Sequence, residues 1–172
     1  MAIVKHITEA IIREAMEFLP PVEQEIANNL HEFAVSLGLK IEMRSNLQKA
    51  GRGYYLEYII KKAKRKLFTI HTHEQYKTGA AILRVKANLF SIDVYRESVE
   101  QSPFVIKQSI KGTLNCAKCK ASCFAKDRNY TLDGVNYDPC YGGGHYFQNL
   151  DASEWDVLKE LIVHEYHVIT AI

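Results

Sequence analysis

The stretch Tyr54–His73, YYLEYIIKKAKRKLFTIHTH, places two β-rich runs on either side of a short basic segment. Aromatic and β-branched residues dominate Tyr54–Lys61 and Lys66–His73, and both types favour strands. The polar residues from Lys61 to Lys66 predict the turn that joins the two strands. A hairpin of this kind predicts an antiparallel sheet at the centre of the fold.

The segment before this hairpin predicts two amphipathic helices. Apolar residues recur at helical spacing over residues 7–19 and again over 21–37, where Val22 begins the second apolar stripe. Pro20-Pro21 separates the two helices, because proline ends one helix and fits the first turn of the next. The pair forms a helical hairpin, which either covers a sheet or mediates dimerisation.

The remaining segments complete an α+β pattern. Further strands are predicted at Leu39–Arg44, Ala81–Lys86, Tyr130–Asp138 (as a strand pair or turn) and Tyr146–Leu150, and further helices at Asn88–Gln101, from Pro103 to about Lys111, and after Asp151 or Ser153. The predicted fold is α+β, with an N-terminal helical hairpin, a mostly antiparallel sheet, a cysteine-knuckle insertion and a closing C-terminal helix. We expect one domain overall, in which the hairpin of residues 1–38 packs on an α+β body of residues 39–172.

Composition indicates an ordinary globular protein. Of the 172 residues, 47% are hydrophobic and 24% are charged, and the net charge is +2. So small a net charge gives no general argument for nucleic acid or for an acidic membrane as partner. No apolar run approaches the length of a membrane span, and charges interrupt the N-terminal segment, so we expect a cytoplasmic protein that makes no membrane contact.

The four cysteines of the chain are Cys116, Cys119, Cys123 and Cys140, in the pattern C-x2-C-x3-C followed by a distant fourth. In a reducing cytosol such clustering is typical of metal ligands rather than of disulfides. Four thiolates suit a tetrahedral zinc site, and a site with every position filled by protein is structural. An iron–sulfur cluster and a redox-active thiol pair remain alternatives, as does replacement of one cysteine by His145.

The segment Tyr130–Cys140, YTLDGVNYDPC, together with the C-x2-C knuckle, resembles a group of small bacterial α+β proteins. Those proteins share a C-x-x-C knuckle, a D-G-x-x-Y-x-x-C segment and a terminal helix. The resemblance extends from about Tyr54 to Tyr166 and excludes the leading helices. It implies that the metal knuckle is a recurrent feature, and it implies no activity.

Two histidines flank Thr72 in a predicted strand. His71 and His73 therefore point to the same face of the sheet. With Tyr54, Tyr58 and His145 they form a candidate polar-aromatic pocket, since imidazoles exchange protons near neutral pH. The alternative is an exposed strand face with no ligand.

The predicted turn carries five cations in six residues, namely Lys61, Lys62, Lys64, Arg65 and Lys66. Such a run is a candidate phosphate-binding surface, and therefore a candidate contact for nucleic acid. The alternative is a charged turn that keeps the sheet soluble.

These patterns favour a zinc-stabilised binding or interaction module with an unidentified ligand or protein partner. The alternatives are a thiol-redox or iron–sulfur protein, and a nucleic-acid-binding protein that uses the basic turn. No Ser-His-Asp order, paired-carboxylate motif or dinucleotide fingerprint stands out, so the sequence assigns no enzyme class.

Overall fold

The computed structural model describes residues 2–4, 7–17, 19–46, 53–74, 81–112, 129–137 and 144–171. The chain divides into two compact units, Met1–Val85 and Lys86–Ile172, and each is described by itself.

Within the described residues, the first unit contains two helices and five strands. The helices are α1 (Glu9–Met16) and α2 (Pro21–Ser36), and the strands are β1 (Ala2–Ile3), β2 (Lys40–Asn46), β3 (Gly53–Ile60), β4 (Arg65–Glu74) and β5 (Ala81–Ala87), whose last two residues belong to the second unit. The Thr8 side chain accepts a hydrogen bond from the Ile11 amide and thereby caps α1. Pro20 precedes α2 and Pro21 occupies its first turn, as the sequence predicted.

The strands lie in the order β1-β2-β3-β4-β5, so each strand neighbours the next one in the chain. The pairs β1–β2, β2–β3 and β3–β4 are antiparallel. In the hairpin β3–β4, Tyr58 lies opposite Phe68 and Tyr55 lies opposite His71, with an irregularity between Tyr58 and Ile59.

The two faces of this sheet differ in chemistry. On one face α2 packs against the strands, since His31 contacts the Tyr58 hydroxyl and the Phe33 ring stacks on Phe68. The side chains of Leu56, Tyr58, Phe68 and Ile70 are fully buried on that face. We call the opposite side the polar sheet face; its members are Lys40, Glu42, Arg44, Tyr55, Glu57, Ile59, Lys66, Thr69 and His71.

The second unit contains short helices, a small hairpin and a long helix. In chain order its elements are a 3-10 helix (Ile92–Tyr95), α3 (Arg96–Glu100), α4 (Phe104–Lys111), β6 (Tyr130–Leu132), β7 (Val135–Tyr137), β8 (His145–Gln148) and α5 (Ala152–Thr170). Asp133 and Gly134 turn the β6–β7 hairpin with positive φ values of 48° and 75°. Asp151 and Glu154 form a reciprocal capping box at the start of α5.

The predicted α+β fold is therefore confirmed, with its leading helical pair, its mostly antiparallel sheet and its closing helix. One predicted helix differs. Residues 88–101 do not form a single helix, because the chain stays irregular through Ser91 before the 3-10 helix begins. The Ser91 amide donates to the Glu165 side chain at 2.9 Å, which ties this irregular segment to the closing helix.

The apolar stripe of α2 also differs from the predicted one. The buried side chains on this helix are Ala27, Leu30, His31 and Ala34, whereas Val22 is 71% exposed. Small alanines allow the helix to approach the sheet closely, and that preference outweighs the burial of Val22. Within the described part of the chain, no helix has the length and apolar character needed to cross a membrane.

Candidate functional sites

The four predicted zinc ligands, Cys116, Cys119, Cys123 and Cys140, lie outside the described residues. The residues that border them are described. Cys116 follows Ile110 by six positions, and Tyr130 follows Cys123 by seven. On the other segment, Cys140 comes three positions after Tyr137 and five before His145.

Tyr130 brings these bordering residues together. Its buried hydroxyl donates to the main-chain oxygen of Ile110 at 3.0 Å. The Tyr130 ring stacks on Tyr137 with centroids 5.3 Å apart, and it meets the edge of His145 at 6.4 Å. Burial raises the pKa of Tyr130 well above its usual value, so the hydroxyl remains a donor. Residues that flank both cysteine-bearing segments therefore contact the same tyrosine.

Charged contacts fasten the same hairpin to the neighbouring helices. Lys111 at the end of α4 donates to the Asp133 carboxylate at 2.6 Å, and the Asp133 amide donates to Glu100 at 3.0 Å. The hydrogen bond from Lys111 holds the pKa of Asp133 below its usual value. These contacts are exposed, so they orient the turn more than they stabilise the fold.

His145 is fully buried at the start of β8. Burial lowers the pKa of His145 to about 4, although hydrogen bonds to the main chain of Leu89 and Ile110 oppose this shift. The imidazole is therefore neutral at pH 7. A buried, neutral histidine at this position contributes to the packing of β8, which follows the second cysteine segment. Among the described residues, no three His, Cys, Asp or Glu side chains are grouped to hold a metal ion.

The polar sheet face centres on Glu57, whose side chain is only 9% exposed. Lys66 donates to its Oε1 at 2.5 Å, and Arg44 Nη2 lies 3.3 Å from Oε2. The Arg44 contact lies within ion-pair distance. Even so, Oε2 accepts no hydrogen bond from any residue that the structure describes. A buried carboxylate oxygen in this state has capacity for a further donor.

The structure places the candidate pocket residues of the first unit on two faces of the sheet. The Tyr55 ring meets His71 edge-on with centroids 4.6 Å apart, on the polar sheet face. Tyr54 lies opposite Thr72 and Tyr58 opposite Phe68, which places both tyrosines on the helix-covered face. His73 lies in β4 opposite Gly53, and His145 belongs to the second unit. His71 is thus brought together with Tyr55, a residue outside the predicted set, and not with Tyr54 or Tyr58.

The basic turn lies where the sequence predicted it. Residues 61–64 form the turn between β3 and β4, with Lys61, Lys62, Lys64 and the adjoining Arg65 all exposed. Lys64 has a positive φ of 51°, which makes the reversal tight. Lys66 differs from the other four, since it belongs to β4 and its side chain reaches across to Glu57 on the neighbouring strand β3.

Two buried polar networks were not predicted from the sequence. His31 links the Tyr58 hydroxyl, at 3.1 Å, to the Glu9 carboxylate, at 3.3 Å, beneath a cleft of about 620 Å³ between α1 and α2. In the second unit, the buried Glu165 accepts hydrogen bonds from the Ser91 amide, the Ser91 hydroxyl and the Tyr95 hydroxyl. The only sequence signal for either network is a polar residue at a helical position whose neighbours are apolar.

Comparison with known proteins adds no relative. The chain matches no protein-family model, no curated protein and no solved structure. The resemblance to the bacterial knuckle group therefore stays a prediction, and the function must be argued from the residues themselves.

Proposed function

We propose that this protein is a binding or interaction module whose second unit is stabilised by a structural zinc ion held by Cys116, Cys119, Cys123 and Cys140. The support is of two kinds, the spacing of the cysteines and the convergence of the chain that flanks them.

The observation that carries the proposal is the position of Tyr130. Through Ile110, Tyr137 and His145 it gathers the borders of both cysteine segments. By sequence, Cys140 follows Tyr137 by three residues, Cys116 follows Ile110 by six, and Cys123 precedes Tyr130 by seven. Short stretches of chain therefore join both cysteine segments to this common base.

The local charge suits a tetrathiolate centre. Four thiolates around Zn²⁺ leave two net negative charges. The sequence places Lys118, Lys120, Lys126 and Arg128 among and beside the cysteines, and these cations offset part of that charge.

A zinc ion with four protein ligands has no open position for a substrate or water. Its contribution is to folding, because metal affinity adds to the stability of the folded loops. A structural zinc ion of this kind fixes the conformation of surface loops that a partner can bind. The absence of an open coordination position favours an interaction module over a metalloenzyme. Dimerisation through the helical pair remains a further prediction.

The test is metal content measured together with stability. We expect protein purified anaerobically without added metal to contain about one zinc per chain and no visible colour. Cys119→Ser should lower both the zinc content and the melting temperature, whereas the matched control Ser122→Ala, inside the same knuckle, should change neither. Iron with sulfide would replace this proposal with the iron–sulfur alternative. Metal-free protein with one rapidly alkylated cysteine would replace it with the thiol-redox alternative.

A further inference from the structure

We propose that the polar sheet face and the basic turn of the first unit together bind single-stranded nucleic acid, with a base on the Tyr55–His71 pair and phosphates on the surrounding cations. This activity is separate from the zinc site, whose ligands all belong to the second unit. It takes the predicted phosphate-binding turn as one part of a larger surface.

The basic turn supplies the electrostatic attraction. Lys61, Lys62, Lys64 and Arg65 are exposed at one end of the β3–β4 hairpin. Neutralisation of phosphates by clustered cations releases counterions, and this release drives the binding of single strands. The protein as a whole has a net charge of only +2, so the attraction is local to this turn.

Arg44 and Lys66 carry positive charge onto the polar sheet face. Lys40 is a third cation there, so three cations stand against the two carboxylates Glu42 and Glu57. Arg44 and Lys66 lie on the strands to either side of β3, and their side chains are 39% and 35% exposed. Both also contact Glu57, which fixes their positions over the central strand. Two anchored, half-exposed cations suit phosphates at the rims of the face.

The aromatic pair supplies a stacking surface. Tyr55 and His71 are cross-strand partners, both half-buried, on the same face as Glu57. Aromatic side chains on a sheet stack against unpaired bases in many single-strand-binding proteins. The two rings meet edge to face, at an interplanar angle of 67°, so they form one continuous aromatic patch.

The stacking rings distinguish a nucleotide strand from other anionic partners. An acidic peptide or an anionic lipid offers negative charge to the cations but no base to stack on Tyr55 and His71. Glu57 holds Arg44 and Lys66 in place rather than contacting the strand, because its Oε2 is buried and lies 3.3 Å from Arg44 Nη2. The combination of an aromatic pair and flanking cations therefore favours a nucleotide strand.

The experiment is fluorescence anisotropy with a fluorescein-labelled, mixed-sequence RNA of about 12 nucleotides, a length within the usual range of single-strand sites. Titrations between 50 and 200 mM salt give the slope of log K against log salt. For the double variant Lys62→Gln/Lys64→Asn, we expect the magnitude of this slope to fall by about 1.4, at about 0.7 per phosphate contact. Asparagine is chosen because it tolerates the positive φ of Lys64.

The matched control is Arg13→Gln/Lys159→Gln, which removes the same charge from helices α1 and α5. We expect it to leave the salt slope unchanged. An equal fall in both double variants would show that only net charge matters, and it would overturn the proposal.

The aromatic part is tested by Tyr55→Leu and Tyr55→Phe. Tyr55→Leu should weaken binding by about 5- to 100-fold at constant salt slope, because the loss is one of stacking. Tyr55→Phe should retain binding, since it keeps the ring. His71→Leu serves the same purpose if Tyr55→Leu melts below the assay temperature.

Three results would each overturn the proposal: no binding of the RNA at 50 mM salt, unchanged affinity in Tyr55→Leu, or equal affinity for poly-glutamate or for vesicles containing phosphatidylserine. The zinc content of these variants should equal that of the unmodified protein. A failure here is therefore distinguishable from a failure of the zinc proposal.

Discussion

The Tyr58 hydroxyl lies 3.1 Å from Nδ1 of His31, and this contact joins the second helix to the central strand of the sheet. Burial raises the pKa of Tyr58 far above its usual value, so the hydroxyl keeps its proton. The Tyr58 hydroxyl therefore donates to Nδ1, and the other ring nitrogen, Nε2, faces the Glu9 carboxylate at 3.3 Å. A polar pair thus sits within an otherwise apolar interface.

Tyr58→Phe should destabilise the protein by about 1 to 3 kcal/mol, because it leaves a buried ring nitrogen of His31 without its donor. The measurement is the free energy of unfolding from urea denaturation. Tyr54→Phe removes the same atom from the same face of the same strand, where the side chain is only half-buried. We expect that control to change stability by less than about 0.5 kcal/mol. Equal effects of the two substitutions would contradict the role of the His31 contact.

The buried imidazole of His145 should make the protein sensitive to mild acid. Its pKa is lowered to about 4 in the folded state, mainly by burial, against about 6.5 when unfolded. Between these values the unfolded chain binds a proton that the folded chain does not, so stability falls as pH decreases. The full difference corresponds to about 3 kcal/mol below pH 4.

Thermal melting from pH 7.5 to pH 5 checks this expectation. The melting temperature of the unmodified protein should fall more steeply than that of His145→Gln, which cannot titrate. Parallel curves would show that His145 does not carry the acid sensitivity.

Gly144 is required by the close approach of neighbouring atoms as well as by its φ of +74°. A Cβ atom there would lie 2.4 Å from Oδ1 of Asn88 and 2.7 Å from the main-chain oxygen of Ala87. Gly144→Ala should therefore cost more than the 1–2 kcal/mol or so of a left-handed alanine alone. Gly38 is the matched control, since its φ is +67° and none of the described residues has an atom within 4 Å of the added Cβ. The difference between the two alanine variants in unfolding free energy measures the steric clash, and a difference of zero would refute it.

Glu165 accepts three hydrogen bonds in a fully buried position, and a carboxylate suits three donors. Glu165→Gln places an NH₂ group against these donors, so we expect a loss of about 1 to 3 kcal/mol. Glu160→Gln on the exposed side of the same helix should change stability by less than about 0.5 kcal/mol. The comparison is made at pH 7 by chemical denaturation. Similar values for the two variants would show that the network contributes little.

The central hairpin could be predicted because the sequence of Tyr54–His73 is by itself typical of two strands and a turn. The period of the strands and the composition of the turn are local properties, and the observed β3 and β4 follow them closely. Which residues share the polar sheet face was harder to predict from the sequence. It depends on the register that sets Tyr55 opposite His71 and Tyr58 opposite Phe68, and a strand sequence alone does not fix its register.

The buried histidines and Glu165 were harder still. The partners of His31 lie 22 and 27 positions away, and the partners of Glu165 lie 70 and 74 positions away. No local sequence pattern predicts such pairs, because the buried polar group forms its hydrogen bond with a residue that is distant in the sequence. The cysteine pattern is the opposite case, since its spacing predicts a metal site without reference to any long-range contact.

The arrangement around Tyr130 has a consequence for how tightly a metal would be held. A free peptide that carried the four cysteines would lose the chain entropy of closing a long loop each time it captured an ion. In the folded protein, contacts of Tyr130 with Ile110 and Tyr137 already close most of that loop. The described residues that border the two cysteine segments are therefore already held near one another, which lowers the remaining entropy cost of bringing four cysteines to one ion. The intact chain should accordingly retain zinc at chelator concentrations that strip it from the isolated 113–141 peptide.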